Sequence, residues 1–319
     1  MRAGTGIMVA GALVSAGCLG NPLAGLGGIA TTTGTVSGSC ASADGAGDPA
    51  ASQAQVDGLW RLNCHRRLAD LPEARLDPAL SAAAQGHADY MSATGQYAHG
   101  QSDAGHPGWT GETAQDRATA AGYSLDTGVS QLAEVIGFRS DGADAVFAID
   151  NWINTVYHRE PLLVPELQDV GFGEAGIYNV MELVSPWTDP VPDFTIYPAR
   201  GQSDVPTSFD SDTESPDPIP NAGVVGSPIT ISVLADGWAS DTDPYTLQID
   251  PSRTSIRTTA GTEIPFLILE PGDDPWLVRM VALVPLAPLD PGTTYEVAVA
   301  LTVNGALWEE GWAFATGSE

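Results

Sequence analysis

The chain has no lysine: all 12 of its basic side chains are arginine, set against 40 acids, for a formal charge of −28 over 319 residues. A surface of that sign is repelled by phosphate backbones, which excludes nucleic acid as a partner. Cysteine is scarce, with three in all and no Cys-x-x-Cys pair, so a zinc knuckle is excluded. No Gly-x-Ser-x-Gly elbow occurs, which removes the commonest route to an activated serine. No apolar run approaches the roughly 20 residues that a membrane-spanning helix needs. What the acidity supplies is a solvated surface, with attraction for divalent cations or basic partners as its functional version.

The first residues read as an export leader. Arg2 precedes a short apolar stretch from Ile7 to Val14, and small residues follow at Ser15, Ala16 and Gly17. Leu13-Val14-Ser15-Ala16-Gly17-Cys18 resembles a bacterial lipobox, with Ser15 where leucine is usual. That resemblance implies cleavage before Cys18 and a lipid on its thiol, so the only membrane contact expected is the anchor; the alternative is plain secretion. Residues 19–54 are rich in Gly, Ala, Ser and Thr, as in Thr31-Thr32-Thr33-Gly34-Thr35, and read as a flexible tether. Export also allows a Cys40–Cys64 disulfide; a buried free thiol at Cys64 is the other reading.

Residues 55–186 are long enough for a core of their own. Val56, Leu59, Trp60, Leu62 and Leu68 recur at helical spacing. Asp77-Pro78 starts a second helix, with Asp77 as cap and Pro78 at the first position. Thr113 to Ala121 forms a third, ended by Gly122, and Asp141-Gly142 opens a fourth through Trp152. Val129 to Phe138 reads as a strand, and Val170 to Glu174 with Gly176 to Leu183 as a hairpin. Helices flanking a small antiparallel sheet give an α+β domain.

From residue 190 the texture changes to short β-branched and aromatic segments separated by Gly, Pro and Asp. They include Phe194–Tyr197, Ile229–Leu234, Tyr245–Ile249, Pro265–Leu269, Trp276–Val284, Thr294–Thr302 and Trp308–Thr316. That pattern predicts an all-β sandwich over 190–319. Leu289-Asp290-Pro291-Gly292-Thr293-Thr294-Tyr295, followed by Trp312-Ala313-Phe314-Ala315-Thr316, resembles the end of bacterial immunoglobulin-like domains. The acidic stretch Asp204 to Asp217, interrupted by prolines, reads as an extended solvated loop rather than a calcium loop.

Three side chains stand out as chemistry: His99, Glu134 and His158, each at the edge of an apolar segment. Two imidazoles and a carboxylate suit zinc or a related divalent ion, if the fold gathers them. Asn63-Cys64-His65-Arg66-Arg67, Leu76-Asp77-Pro78-Ala79-Leu80, Gly111-Glu112 and Arg117-Ala118 surround them in order. Ala133-Glu134-Val135-Ile136 is similar to a Gly-Glu-Asn-Ile motif, and Trp152 with His158-Arg159 to a Trp-x-x-Ser-x-x-His-Arg motif. Together these residues resemble the CAP superfamily (cysteine-rich secretory, antigen-5 and pathogenesis-related proteins), closest to its bacterial branch without disulfides. The resemblance implies an α-β-α sandwich with a cleft lined by two histidines and one or two acids, on which His99, Glu134 and His158 fall. A second acid of the family corresponds to Thr155 here; Glu160 is the nearest substitute.

Other groups read as structural. His87 lies on an inward helix face, and Trp152 is core. His65 beside Arg66 and Arg67 is a solvated face, and Arg159 pairs with a carboxylate. His106 is a loop residue, while Tyr97 and Tyr157 pack near the cleft histidines. Three functions follow. The first is a non-enzymatic, envelope-displayed module binding a small-molecule, lipid or peptide ligand. The second is a metal-assisted hydrolase with Glu134 as candidate base. In the third, an interaction protein merely presents surface.

Overall fold

The structure, a computed structural model, describes residues 50–125, 130–186, 194–233 and 246–318. The leader, the Cys18 lipid site, the tether up to residue 49 and Cys40 lie outside the described residues. No helix among those described is long and apolar enough to cross a membrane. Cys64 is disulfide-bonded, not a free thiol; its expected partner, Cys40, is outside the described residues.

Local chemistry starts each element of the first domain. Helix α1 (Gln53–Leu68) opens at a capping box in which the Ser52 hydroxyl and the Gln55 side chain take each other's main-chain N–H. A two-residue strand, β1 (Arg75–Leu76), follows. In α2 (Pro78–Thr94) the Asp77 carboxylate accepts the Ala79 and Leu80 N–H groups at 2.8 and 2.9 Å, a cap worth about 1 kcal/mol. Gly95, at φ 69°, ends it in a left-handed turn. Helix α3 (Ala114–Ala120) sits between the Thr113 cap and Gly122. After β2 (Ser130–Phe138) comes α4 (Ala145–Ile153). Its cap is Asp144 rather than Asp141-Gly142, because Arg139 ties down both Asp141 and Asp144 and Gly142 turns left-handed before the helix. The one-turn α5 (Arg159–Leu162), which the periodicity did not predict, precedes the expected hairpin of β3 (Asp169–Ala175) and β4 (Tyr178–Pro186), with Gly176 at its turn.

These strands form one sheet in the order β1-β3-β4-β2, with β1 parallel to β3 and the rest antiparallel. Helix α2 lies across β3 and β4, while α1 and α4 pack together on the opposite face. Alternation along β3 explains both layers. Phe172 faces Gly58 of α1, whereas Gly171 and Gly173 face α2. A Cβ at Gly171 would stand 2.0 Å from the Leu80 carbonyl carbon, and one at Gly173 2.2 Å from the Gln85 nitrogen. Only glycine lets the helix backbone approach the strand this closely.

The second domain contains β5 (Phe194–Tyr197), β6 (Ser208–Asp210), β7 (Val224–Gly226), β8 (Ile229–Val233) and β9 (Leu247–Ile249). It continues with β10 (Ser255–Thr258), β11 (Phe266–Leu269), β12 (Met280–Pro285), β13 (Thr294–Val303) and β14 (Ala306–Ala315). One antiparallel sheet runs β11-β12-β8-β5; the other has β13 between β14 on one side and β9 with β10 on the other. Their inner faces share one core, including Ile229, Ile231, Leu283, Tyr295, Val297, Trp312 and Phe314. Strand β12 begins at Met280 rather than Trp276, because the Asp274 carboxylate and carbonyl take the Trp276 and Leu277 N–H groups and hold that stretch in a turn.

The two domains pack against each other. Val156 of the first joins Phe209, Val225, Leu277 and Met280 of the second in a shared apolar cluster. His65, expected on a solvated face, is buried there: its ring lies 2.9 Å from both the Tyr197 hydroxyl and the Asp150 carboxylate. Helical spacing could not reveal this, since the covering tyrosine comes from β5 of the other domain.

Candidate functional site

Register places two acids face to face. In the β2–β4 pairing Glu134 stands opposite Glu182, on the same side of the sheet as α2 and α3. Their flanking positions are apolar: Ile136 and Val180 pack with Ala84, Ala88 and Met91, and Val184 packs with Leu80, Ala83 and Ala118. The acid pair is therefore a polar inlay between two apolar clusters. Both carboxyl groups are buried, and such groups need compensation.

Arg117 of α3 and the loop after α2 supply it. One Glu134 oxygen accepts a hydrogen bond from Arg117 Nη2, and the other lies 2.8 Å from His99 Nδ1. Arg117 also donates to the carbonyls of His99 at 3.1 Å and Glu112 at 3.4 Å, so one guanidinium positions both partners. Burial works against ionising Glu134, but the His99 hydrogen bond and the Arg117 charge outweigh it and hold the carboxyl below its usual range. A carboxylate only accepts, so His99 Nδ1 carries the proton and donates. His99, with a side chain 45% exposed, is thus the solvent-accessible member of a buried network, and its Nε2 is not used in it.

Glu182 behaves oppositely. Burial, together with the nearby Glu134 charge, raises its pKa well above the usual value. Arg117 Nη2 is 3.7 Å away, but neither Glu182 carboxyl oxygen nor Arg117 Nε has a hydrogen-bond partner. His87 completes the surround. Its Nε2 donates to the Ala98 carbonyl at 3.0 Å and lies 3.9 Å from Glu134, while its Nδ1 accepts from Gln101 at 3.3 Å. Burial lowers its pKa to about 4, so it is neutral and structural, in keeping with its inward helix position.

His158 is not part of this group. Its Nδ1 is 2.9 Å from Glu214, in the turn after β6 of the second domain. The expected gathering of His99, Glu134 and His158 is thus corrected: the fold pairs the first two and gives the third a different acid. Glu214 itself, read in sequence as part of a solvated loop, is buried. Arg159 is corrected too. It donates not to a carboxylate but to the carbonyls of Ile153 at 2.6 Å and Pro228 at 2.7 Å and to the Thr230 hydroxyl at 3.2 Å. Thr155, in place of the family's second acid, hydrogen-bonds its own helix at the Trp152 carbonyl. Glu160 does not take up that role, since burial raises its pKa and its neighbour is Arg279. His106 accepts the Gly108 N–H and meets the Tyr90 ring edge-on.

These residues do not fit a metal centre. Both Glu134 oxygens are engaged by His99 and Arg117, a cation sits where a metal would, and His158 is held by Glu214. Among the described residues no group of three or more His, Cys, Asp or Glu is arranged to hold an ion.

The segment that builds this network has known relatives. Residues 59–181 match the CAP family, described as the cysteine-rich secretory protein family. That span runs from α1 into β4 and contains His99, Arg117, Glu134 and His158. A similar solved structure is an extracellular protein containing a SCP domain from Bacillus anthracis str. Ames. The two are 20% identical with a TM-score of 0.36, over 41% of this chain and 40% of that one. No curated protein matches the chain.

Two members of the network escaped sequence reasoning. Glu182 interrupts Val180-Met181-Glu182-Leu183-Val184, and a lone acid in a strand buried on both faces was its one available signal. Arg117 read only as part of a motif; nothing in its spacing said that its guanidinium would meet Glu134.

Proposed function

We propose that this is an exported ligand-binding module whose ligand contacts the face around His99. The carrying observation is the anchoring of His99: a buried Glu134, itself pinned by Arg117, lies 2.8 Å from Nδ1 and holds a ring whose side chain is 45% exposed. Such a ring offers its other nitrogen to hydrogen-bond a polar group of a small molecule, lipid headgroup or peptide. Tyr97, 44% exposed, stacks on Tyr178 and meets the exposed Phe138 ring, giving apolar surface close to His99 in the chain. A hydrolase using Glu134 as base is less favoured, because the arginine and imidazole that neutralise it also quench its basicity.

In this reading the Cys18 lipid and the tether hold the module at the cell envelope. The second domain is a bacterial immunoglobulin-like sandwich; the Tyr295 hydroxyl taking the Asp290 N–H at 2.7 Å supports that kinship. Native mass spectrometry of the exported protein and of His99→Ala tests the module. The expected result is a co-purified mass on the wild type that the variant lacks; equal occupancy of both would refute the role of His99. Palmitate labelling that Cys18→Ser abolishes tests the anchor, and an unlabelled wild type would end it.

A further inference from the structure

Between α4 and α5 the chain makes a tight turn over residues 154–158, and a carboxylate from the second domain sits in it. Glu214 accepts the N–H groups of Val156 at 2.9 Å, Tyr157 at 2.7 Å and His158 at 3.1 Å, and meets His158 Nδ1 at 2.9 Å. Its side chain is fully buried. Three successive main-chain donors converging on one anion form a concave nest, and the imidazole adds a fourth donor. Glu214 is aimed by the 3-10 turn Ser211–Thr213, whose Ser211 N–H bonds Gly223 at 3.0 Å and whose hydroxyl bonds Ile219 at 3.3 Å.

The residues around the nest do not explain the carboxylate by charge alone. Tyr157 gives its hydroxyl to Asp274 at 2.6 Å, and burial, then Asp274, Glu214 and Asp217, push its pKa up. Arg159, the next residue along, donates to carbonyls and a hydroxyl. In so acidic a neighbourhood a carboxylate is buried only because the turn offers donors shaped for it.

We propose that the residue 154–158 turn is a carboxylate-binding site of the CAP segment, filled in cis by Glu214, and that a free carboxylate takes the same donors when the Glu214 side chain is absent. The ligand class is a simple carboxylate, carried by a small acid or by an acidic peptide side chain. His158 serves this site and not the His99 network.

Chemical rescue tests it in the full chain. Glu214→Ala removes the carboxylate and leaves a space matched to acetate. The variant should melt several degrees below the wild type, and sodium acetate should raise its Tm more than sodium chloride at equal ionic strength. The wild type, already filled, should show no difference between the salts. Amide signals of residues 156–158 should move with acetate in the variant only. Identical effects of the two salts on the variant, or equal acetate stabilisation of both proteins, would overturn the proposal. If Glu214→Ala refolds in neither salt, Glu214→Gln decides. That variant keeps the shape but turns one acceptor into a donor facing N–H groups, so it should melt several degrees lower; unchanged melting would rule the site out.

Discussion

Glu134 and Glu182 face each other across β2 and β4, both buried, and their environments push their titrations apart. His99 and Arg117 stabilise the charge on the first, while burial, together with that charge, raises the pKa of the second. The two titrations are coupled, with one arginine beside both acids.

Truncating the two acids should therefore have opposite results. Glu134→Ala leaves the Arg117 guanidinium buried without its main partner and should cost about 3–5 kcal/mol in urea unfolding. Glu182→Gln removes a group whose pKa burial, then the Glu134 charge, raises well above that of its unfolded counterpart. It should raise stability at pH 7 and have little effect near pH 4. Equal losses from both substitutions would mean that the pair is not divided as described.

Acid should weaken the fold through His87. Its folded pKa is about 4 against 6.5 for the free group, so the unfolded chain takes up a proton first as pH falls. The stability it contributes is complete above pH 6.5 and is lost on the way down to pH 4, by about 3 kcal/mol. His65, whose pKa burial also lowers, acts with the same sign. Urea midpoints at pH 7 and pH 4 should differ less for His87→Gln than for the wild type; an unchanged difference would contradict the assignment.

Gly171→Ala tests the closeness of α2 to β3. A methyl group would overlap the Leu80 and Ser81 backbone, which cannot swing aside as a side chain can. The expected loss is about 3 kcal/mol, from overpacking. The same change at Gly272, where nothing lies within 4 Å, is the control and should be near neutral.

Arg159 fastens the domains. Arg159→Ala would strip the donor from the Pro228 and Ile153 carbonyls and open a gap beside Tyr197, over whose ring the guanidinium stands at 4.9 Å. A loss of about 3 kcal/mol is expected, with one cooperative melting transition splitting into two in calorimetry. A single unshifted transition would show that the domains are joined elsewhere.

Elements with their own signals were legible. Asp77-Pro78, Thr113 and Gly122, and the Gly176 hairpin all sat where local chemistry put them, because caps and turns are decided within a few residues. The CAP resemblance was carried by residues that fall inside the matched span of 59–181. The short strands β6, β7 and β10 left no readable period, and α5 is a single turn after a histidine. Pairing His99 with Glu134 followed from the motif order. Sending His158 to Glu214 did not, since its partner lies 56 residues on in another domain.

By itself the sequence determined the acidity, the caps that start α2 and α3, the hairpin turn at Gly176, and the change from mixed to all-β texture near residue 190. Those features depend on neighbours along the chain or on side-chain type alone. Tertiary structure decided which acid each histidine meets, that Glu182 is buried opposite Glu134, and that His65, Arg159 and Glu214 face an interface. These are outcomes of strand register and domain docking, which bring together residues that no local pattern links.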